Sequence, residues 1–170
     1  MSLIIRPIEE KELPLYSALL LDAVLWLQNR GTPLWSPEQI TPDALLKMYR
    51  LEEFYLAFMK DQPVAGMVLQ ESDFLWHGVA EGDALYLHKL AVSRTRAGQR
   101  LGRTMIDFAR EEAARRGKPL LRLDTSAKHP RLCKYYEDYG FEFVAYRHLE
   151  EYGFHIHYYQ LPVDLTVEQC

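Results

Sequence analysis

The sequence predicts an α/β protein built on one mixed sheet with helices on its faces. Element signals follow the order β-α-α-β-β-β-α-β-α-β-β, the alternation that such layered folds require. The stretch LYLHKLAVSRTRAGQRLGRTMIDFAREEAARRGKPLLRLDT, Leu85 to Thr125, reads as strand, basic glycine turn, long helix and strand. That connection should be a right-handed parallel crossover. With 170 residues, 48% of them hydrophobic, the chain suits a single domain spanning residues 1–170 with a substantial core.

Leu3 to Ile8 is a short apolar run and reads as an edge strand. Leu13 to Asn29 is the first helix, with Leu15, Leu19, Ala23, Val24 and Leu27 as its apolar positions and Gly31 as its stop. Ser36-Pro37 and Thr41-Pro42 each pair an N-cap residue with proline at the first helical position, and a second helix should reach about Arg50. Phe54 to Lys60 and Val64 to Ser72 are strands joined by a tight turn at Asp61-Gln62, and Asp73 to Asp83 is a loop. Leu85 to Val92 is the central strand. Arg100 to Arg116 is the long helix, with Leu101, Met105, Ala109 and Ala113 on one stripe and Gly117 at its end. Leu120 to Asp124 is a buried strand, Pro130 to Tyr139 a helix closed by Gly140, and Phe141 to Tyr146 and Phe154 to Leu161 are the last strands.

The formal net charge is −4, which argues against nucleic acid as a partner, because phosphate-backbone binding wants a basic face. No apolar run reaches the length of a membrane span, and the N-terminal MSLIIRPIEEKE lacks a signal-peptide plan. Two cysteines, Cys133 and the final Cys170, form no disulfide framework; Cys170 is expected to be mobile, and the expected location is the reducing cytoplasm.

Against this acidic background Arg94, Arg96, Arg100 and Arg103 cluster with Gly98 and Gly102 at the start of the long helix. A helix start presents backbone N–H groups without intrahelical partners at the positive end of the dipole, and glycine allows close approach. The segment suits a pyrophosphate. The spacing fits neither the Rossmann nor the P-loop pattern, and glycines that merely shape a loop explain it as well.

The strand before the turn adds the decisive context. LYLHKLAV, the basic turn and RLGRTMIDFA resemble motif A of the GNAT superfamily of acetyl-CoA-dependent N-acetyltransferases. HPRLCKYYEDYGF, residues 129 to 141, resembles that family's helix with Tyr-Glu-x-x-Gly-Phe. The resemblance implies a GNAT-like fold, a central, mostly antiparallel, splayed sheet with helices on both faces. It also implies acetyl-CoA as cosubstrate, and transfer of its acetyl group by direct attack of an amine. The family's turn, Gln/Arg-x-x-Gly-x-Gly/Ala, falls on Ala97, Gly98, Gln99, Arg100, Leu101 and Gly102. The last glycine is kept, whereas Ala97 and Arg100 replace the first residue and the inner glycine. Backbone amides can still cradle the diphosphate, with Arg103 and Thr104 following on the helix. Leu90, Ala91 and Val92 match the strand segment that pairs with the pantetheine arm. His129 stands where many members carry a cofactor-contacting asparagine.

The chemistry needs a neutral amine, donors for the developing oxyanion and a proton for the departing thiolate. Tyr136 matches the family's thiolate-protonating tyrosine, and Tyr135 and Tyr139 read as packing. His88 is the candidate base, directly or through water. It sits in L-H-x-L-A-V, similar to the arylalkylamine acetyltransferases of the same superfamily, and its alternative is a structural strand histidine. His155 and His157 share a face of the last strand, but no third ligand is evident and no metal site is expected. Cys133 reads as packing.

The acceptor is expected to be a primary amine of a small molecule. The resemblance places it between residues 30–40 and 146–155, where Trp35 and Tyr146 are the candidate contacts, with Trp26 and Trp76 nearby. A homodimer is a further expectation. The rival is a non-catalytic acyl-CoA-binding module that keeps the fold and the turn.

Overall fold

The computed structural model describes residues 2–166, so Cys170 lies outside the described residues. Among these described residues, seven strands form one sheet: β1 (Leu3–Pro7), β2 (Phe54–Met59), β3 (Gln62–Gln70), β4 (Ala84–Val92), β5 (Leu120–Ser126), β6 (Glu142–Leu149) and β7 (Phe154–Pro162). Their order is β1-β2-β3-β4-β5-β7-β6. Four α-helices accompany them: α1 (Leu13–Asn29), α2 (Pro42–Met48), α3 (Leu101–Arg115) and α4 (Pro130–Tyr139). The sheet is mixed and mostly antiparallel, as expected. The β4–β5 pair is parallel, as the crossover through α3 requires.

The chain divides into two compact units. One contains the residues up to Leu69 together with Lys89–Phe108; the other contains Gln70–His88 together with the residues from Ala109 on. The chain passes from the second to the first within β4, between His88 and Lys89.

In the first unit, α1 buries Leu13, Tyr16, Leu19, Leu20 and Val24 against Leu45, Phe54, Leu56 and Val68. Leu15, expected on the buried stripe, lies on the exposed side, because Tyr16 and Leu20 set the helix face. Thr41 caps α2 by accepting from the Ala44 amide at 3.2 Å, and Ser36 donates its amide to the Gln39 side chain at 3.0 Å. The helix α2 ends at Met48, short of Arg50, since Tyr49 turns to an extended backbone with φ −135°. The hairpin turn sits one residue earlier than expected. Lys60 and Asp61 take φ 48° and 63°, the doubly left-handed geometry that a two-residue hairpin loop demands.

Tyr16 is fully buried and donates its hydroxyl to the Lys89 carbonyl at 2.5 Å. Lys89 itself has φ 52° in the middle of β4. A left-handed residue inside a strand breaks the alternation of side chains, and for lysine it is strained. Gly66 on β3 makes room for the tyrosine: a Cβ there would lie 2.5 Å from Cδ2 and Cε2 of Tyr16.

In the second unit, β5 pairs with β7 along its whole length, from Leu120↔Pro162 to Ser126↔Ile156. The β4–β5 ladder covers Ala84↔Leu120, Leu85↔Leu121 and Tyr86↔Arg122, and both strands run on past it. Tyr86 and Arg122 share a face with Tyr158 by the period-two alternation of strands. Trp76, from a 3-10 turn at Phe74–Trp76, packs on that face with Ala84, Tyr86, Ile156 and Tyr158.

Gly66→Ala should lower unfolding free energy by about 2 kcal/mol through overpacking against Tyr16, read from chemical denaturation. Tyr16→Phe in the same background should restore little, because the clash is with the ring.

A second prediction concerns acid. The Arg6 guanidinium reaches both carboxylate oxygens of Glu12, at 2.7 and 2.9 Å, and the Glu9 amide donates to it at 2.8 Å. These hydrogen bonds, with Arg6 foremost, hold the Glu12 carboxyl down at about 2. A depressed carboxylate stabilises the fold above its unfolded value of ~4.3, and that stability is lost as pH falls through the folded value. The thermal midpoint should therefore fall between pH ~4.5 and 2, and Glu12→Gln should flatten that part of the profile.

Candidate active site

The basic turn lies in the first unit. After β4, residues Arg94–Arg96 make a 3-10 turn, Gly98 takes φ 83° and Arg100 takes φ 60° before α3 begins at Leu101. Arg100 was expected to open the helix; its left-handed backbone puts it outside. It stands where the GNAT signature has its inner glycine, and the conformation explains that glycine. The arginine takes up the same backbone geometry at a cost of ~1 kcal/mol.

Within the turn the Ala97 and Gln99 amides donate to the carbonyls of Arg94 and Arg96, both at 3.3 Å. The Thr104 amide and hydroxyl both donate to the Arg100 carbonyl, at 3.1 and 3.2 Å. The first amides of α3 belong to Leu101, Gly102 and Arg103, and point out of the helix start by its geometry. A Cβ on Gly98 would meet nothing within 4 Å, so the turn is open on that side. Gly98, Gln99 and Arg100 are all exposed. An anionic diphosphate fits such a cradle. Arg94 stacks on Trp26 at 3.8 Å, and Arg30 meets the same ring at 4.6 Å. Of the strand residues expected to meet the cofactor, Ala91 is buried in the first unit's core, and Leu90 and Val92 are half-buried. Trp35 packs on that same core with Lys89 Nζ 5.1 Å from its ring centre.

The candidate proton-transfer groups lie in the second unit. His88 and Asp124 each stand two residues past Tyr86↔Arg122, the last pair of the β4–β5 ladder, and by strand alternation fall on the same face. His88 Nε2 is 3.5 Å from Asp73 Oδ2, and the ligating atoms of Asp73, His88 and Asp124 lie within 4.8 Å of one another. Asp73 is fixed by its own turn, where Oδ1 accepts from the Leu75 amide at 2.9 Å. Three donors pin the loop that follows. The Tyr158 hydroxyl binds the Leu75 carbonyl at 2.9 Å, Arg147 binds that of His77 at 3.2 Å, and Arg122 binds those of Glu81 and Gly82 at 2.6 and 3.3 Å. Arg122 is 1% exposed; it also meets Tyr86 Oη and Gln160 Oε1, both at 3.3 Å, and lies over the Trp76 ring at 4.5 Å.

Trp76, expected near the acceptor, is instead 3% exposed and belongs to this core. Neither Asp73 nor Asp124 was a sequence candidate. The available signal was a charge at every second residue of an otherwise apolar strand, Arg122 then Asp124, which marks a polar stripe on one face.

Tyr136 is buried on α4, edge-on to Tyr135 and Phe141 at 5.5 and 5.8 Å. Burial pushes its hydroxyl pKa above the ordinary value, with Tyr135 and Asp124 adding to it. A tyrosine so placed holds its proton at neutral pH. Tyr139 packs on Phe141 and meets Arg110 at 3.3 Å. His129 begins α4: its amide donates to Ser126 at 3.1 Å and its carbonyl accepts from Cys133 at 3.0 Å. The Cys133 thiol is raised, chiefly by burial, and sits 3.6 Å from His157 Nδ1, in keeping with a packing role.

Tyr146 is exposed and its hydroxyl bonds His155 Nδ1 at 2.7 Å. His155 stacks on His148 at 4.1 Å, a neighbour that strand register supplies and sequence spacing hides. Burial first, then His148, lowers the His155 pKa. No described helix is long and apolar enough to cross a membrane.

The acetyltransferase (GNAT) family matches residues 21–141, and the chain belongs to it. It is thus an acyltransferase whose acyl donor is acetyl-CoA. Among its relatives is the N-acetyltransferase YesJ of Bacillus subtilis, 31% identical over 147 residues, covering 82% of this chain and 80% of YesJ. A GNAT-family acetyltransferase from Listeria monocytogenes superposes with a TM-score of 0.77 at 24% identity, over 95% of each chain. The yncA protein of Salmonella typhimurium, solved with acetyl-CoA, gives 0.69 at 15% identity over 100% of this chain and 99% of its own.

Arg100→Gly should raise unfolding free energy by roughly 0.5–1 kcal/mol, because glycine takes φ 60° without the Cβ clash. Arg100→Ala, which removes the charge and keeps the clash, should show no such gain in the same denaturation measurement.

Proposed function

We propose that the protein acetylates a primary amine of a small molecule by direct attack, with His88 as general base and Tyr136 as general acid. Acetyl-CoA supplies the activated acetyl thioester. The amides of Gly98 and Arg100 to Gly102 hold the diphosphate, and Arg103 and Thr104 flank it from the first turn of the helix. Ala97 and Gln99 shape the turn rather than donate to the ligand, since their amides already serve Arg94 and Arg96. Leu90, Ala91 and Val92 offer main-chain groups to the pantetheine arm, and one of their N–H groups faces the developing oxyanion. His129 lies at the head of α4 as a further contact.

The amine must lose a proton as its nitrogen bonds the acetyl carbon, and His88 takes that proton. The sulfur gains one as the C–S bond breaks, and Tyr136 gives it. The observation that carries this assignment is the pairing of opposite environments. His88 has a ring nitrogen within 4.8 Å of carboxylate oxygens of Asp73 and Asp124, whereas the tyrosine is buried and keeps its proton. Trp35 and Tyr146 are the proposed contacts for the apolar body of the acceptor.

Thiol release from acetyl-CoA should be measured at pH 8 with phenethylamine, spermidine and lysine methyl ester as acceptors. Tyr136→Phe and His88→Gln should each lower kcat about 100-fold or more and leave acetyl-CoA affinity by calorimetry within about twofold. Full turnover in either variant removes that residue from the mechanism, and no turnover with any of the three amines removes the small-amine acceptor.

A further inference from the structure

The geometry points to Arg30 and Arg94, both seated on the Trp26 indole, as specificity residues that bind an acid group on the acceptor. The substrate is then an amine that also carries a carboxylate, as an amino acid does. The inference rests on the acceptor reading above, in which Trp35 meets the apolar body of a small amine.

In the first unit, cations lie against both Trp26 and Trp35. The guanidinium carbon of Arg94 is 3.8 Å from the Trp26 ring centre and that of Arg30 is 4.6 Å from it, while Lys89 Nζ is 5.1 Å from the Trp35 ring centre. Trp26, Arg30 and Arg94 are all exposed, so a ligand can reach them. Their backbones are fixed. Arg30 caps the end of α1, its amide donating to the Leu27 carbonyl at 3.2 Å, and the Arg94 carbonyl accepts from the Ala97 amide at 3.3 Å.

Elsewhere on this acidic chain Arg6, Arg116 and Lys118 each meet a carboxylate. Among the described residues, Arg30 and Arg94 have none at ion-pair distance. Like charges gathered on one ring repel each other, and a bound anion relieves that repulsion. Stacking occupies the flat face of a guanidinium and leaves its in-plane N–H groups at the rim, the fork that a carboxylate accepts. The diphosphate has the amides of the turn. Arg30 opens the segment that holds Trp35, which sets the pair on the acceptor's side of the reaction. The same positive charge disfavours a polyamine, which brings a second cation of its own.

Matched acceptors test this on the full chain: phenylalanine against phenethylamine, and lysine against lysine methyl ester. The acid-bearing amine is the less basic in the first pair and the more basic in the second, so a preference shared by both comes from binding. The native protein should favour the acid-bearing member of each pair by about 10-fold or more in kcat/KM, chiefly through KM, and spermidine should be the poorest acceptor. Arg30→Gln and Arg94→Gln should each cut that preference roughly 5- to 10-fold, and Arg94→Lys, which keeps the charge without the fork, should retain part of it. No preference in the native protein, or equal losses on both members of a pair, overturns the inference and leaves the small-amine reading standing. A variant that stops distinguishing acetyl-CoA from its 3′-dephospho form in calorimetry also overturns it, since the arginines then serve the cofactor's phosphate. Turnover with neither member of either pair overturns the acceptor reading and this inference with it.

Discussion

The Tyr16 hydroxyl and the Lys89 carbonyl make one short hydrogen bond, and the shape of the central strand depends on it. Lys89 holds a left-handed backbone in mid-strand, a conformation that costs a β-carbon residue of order 1–3 kcal/mol and persists only where its surroundings over-determine it. Here the surroundings are a fully buried tyrosine, edge-on to Phe54 at 5.8 Å, in a space left by Gly66. Burial raises the Tyr16 hydroxyl pKa well above its ordinary value, so the donor stays a donor across the working pH range. Past Lys89 the strand resumes with its side chains re-phased.

The second unit is organised by a buried cation. Arg122 has no surface to escape to, and its planar fork instead ties the carbonyls of Glu81 and Gly82, the Tyr86 hydroxyl and Gln160 around the Trp76 ring. A guanidinium is less costly to bury than an ammonium because its charge is delocalised and weakly hydrated. Its work is to stiffen the loop from Asp73 to Asp83, which has one short 3-10 turn of its own. The rigidity reaches Asp73 and so the surroundings of His88. A packing residue and a candidate proton-transfer residue are linked through hydrogen bonds to a loop backbone.

Departures from the family signature in the turn become understandable in the same terms. A diphosphate cradle depends on amide directions, and those follow from φ and ψ rather than from side chains. Arg100 adopts the backbone of the glycine it replaces, at some strain and with an added positive charge. Ala97 sits at a position whose amide is already used within the turn.

Much of the fold was legible in the sequence because its signals are local. The extent of α1, the proline-marked caps at Ser36 and Thr41, the apolar stripe of α3 and the parallel crossover all follow from periodicity, capping chemistry and chirality. Tyr136, the glycine turn and His88 were singled out through the family resemblance of their motifs, and their roles are proposals. Errors fell where a single residue's backbone decides, as at Arg100 and at the Lys60-Asp61 turn, because side-chain identity there disfavours the conformation adopted. The sequence by itself determined which elements form and which residues could carry charge and protons. Only the tertiary structure decided that Asp73, His88 and Asp124 each bring a polar atom within 4.8 Å of the others, and that Trp76 is core. Those facts depend on strand register and loop anchoring, which join residues far apart in the chain and leave no periodic trace along it.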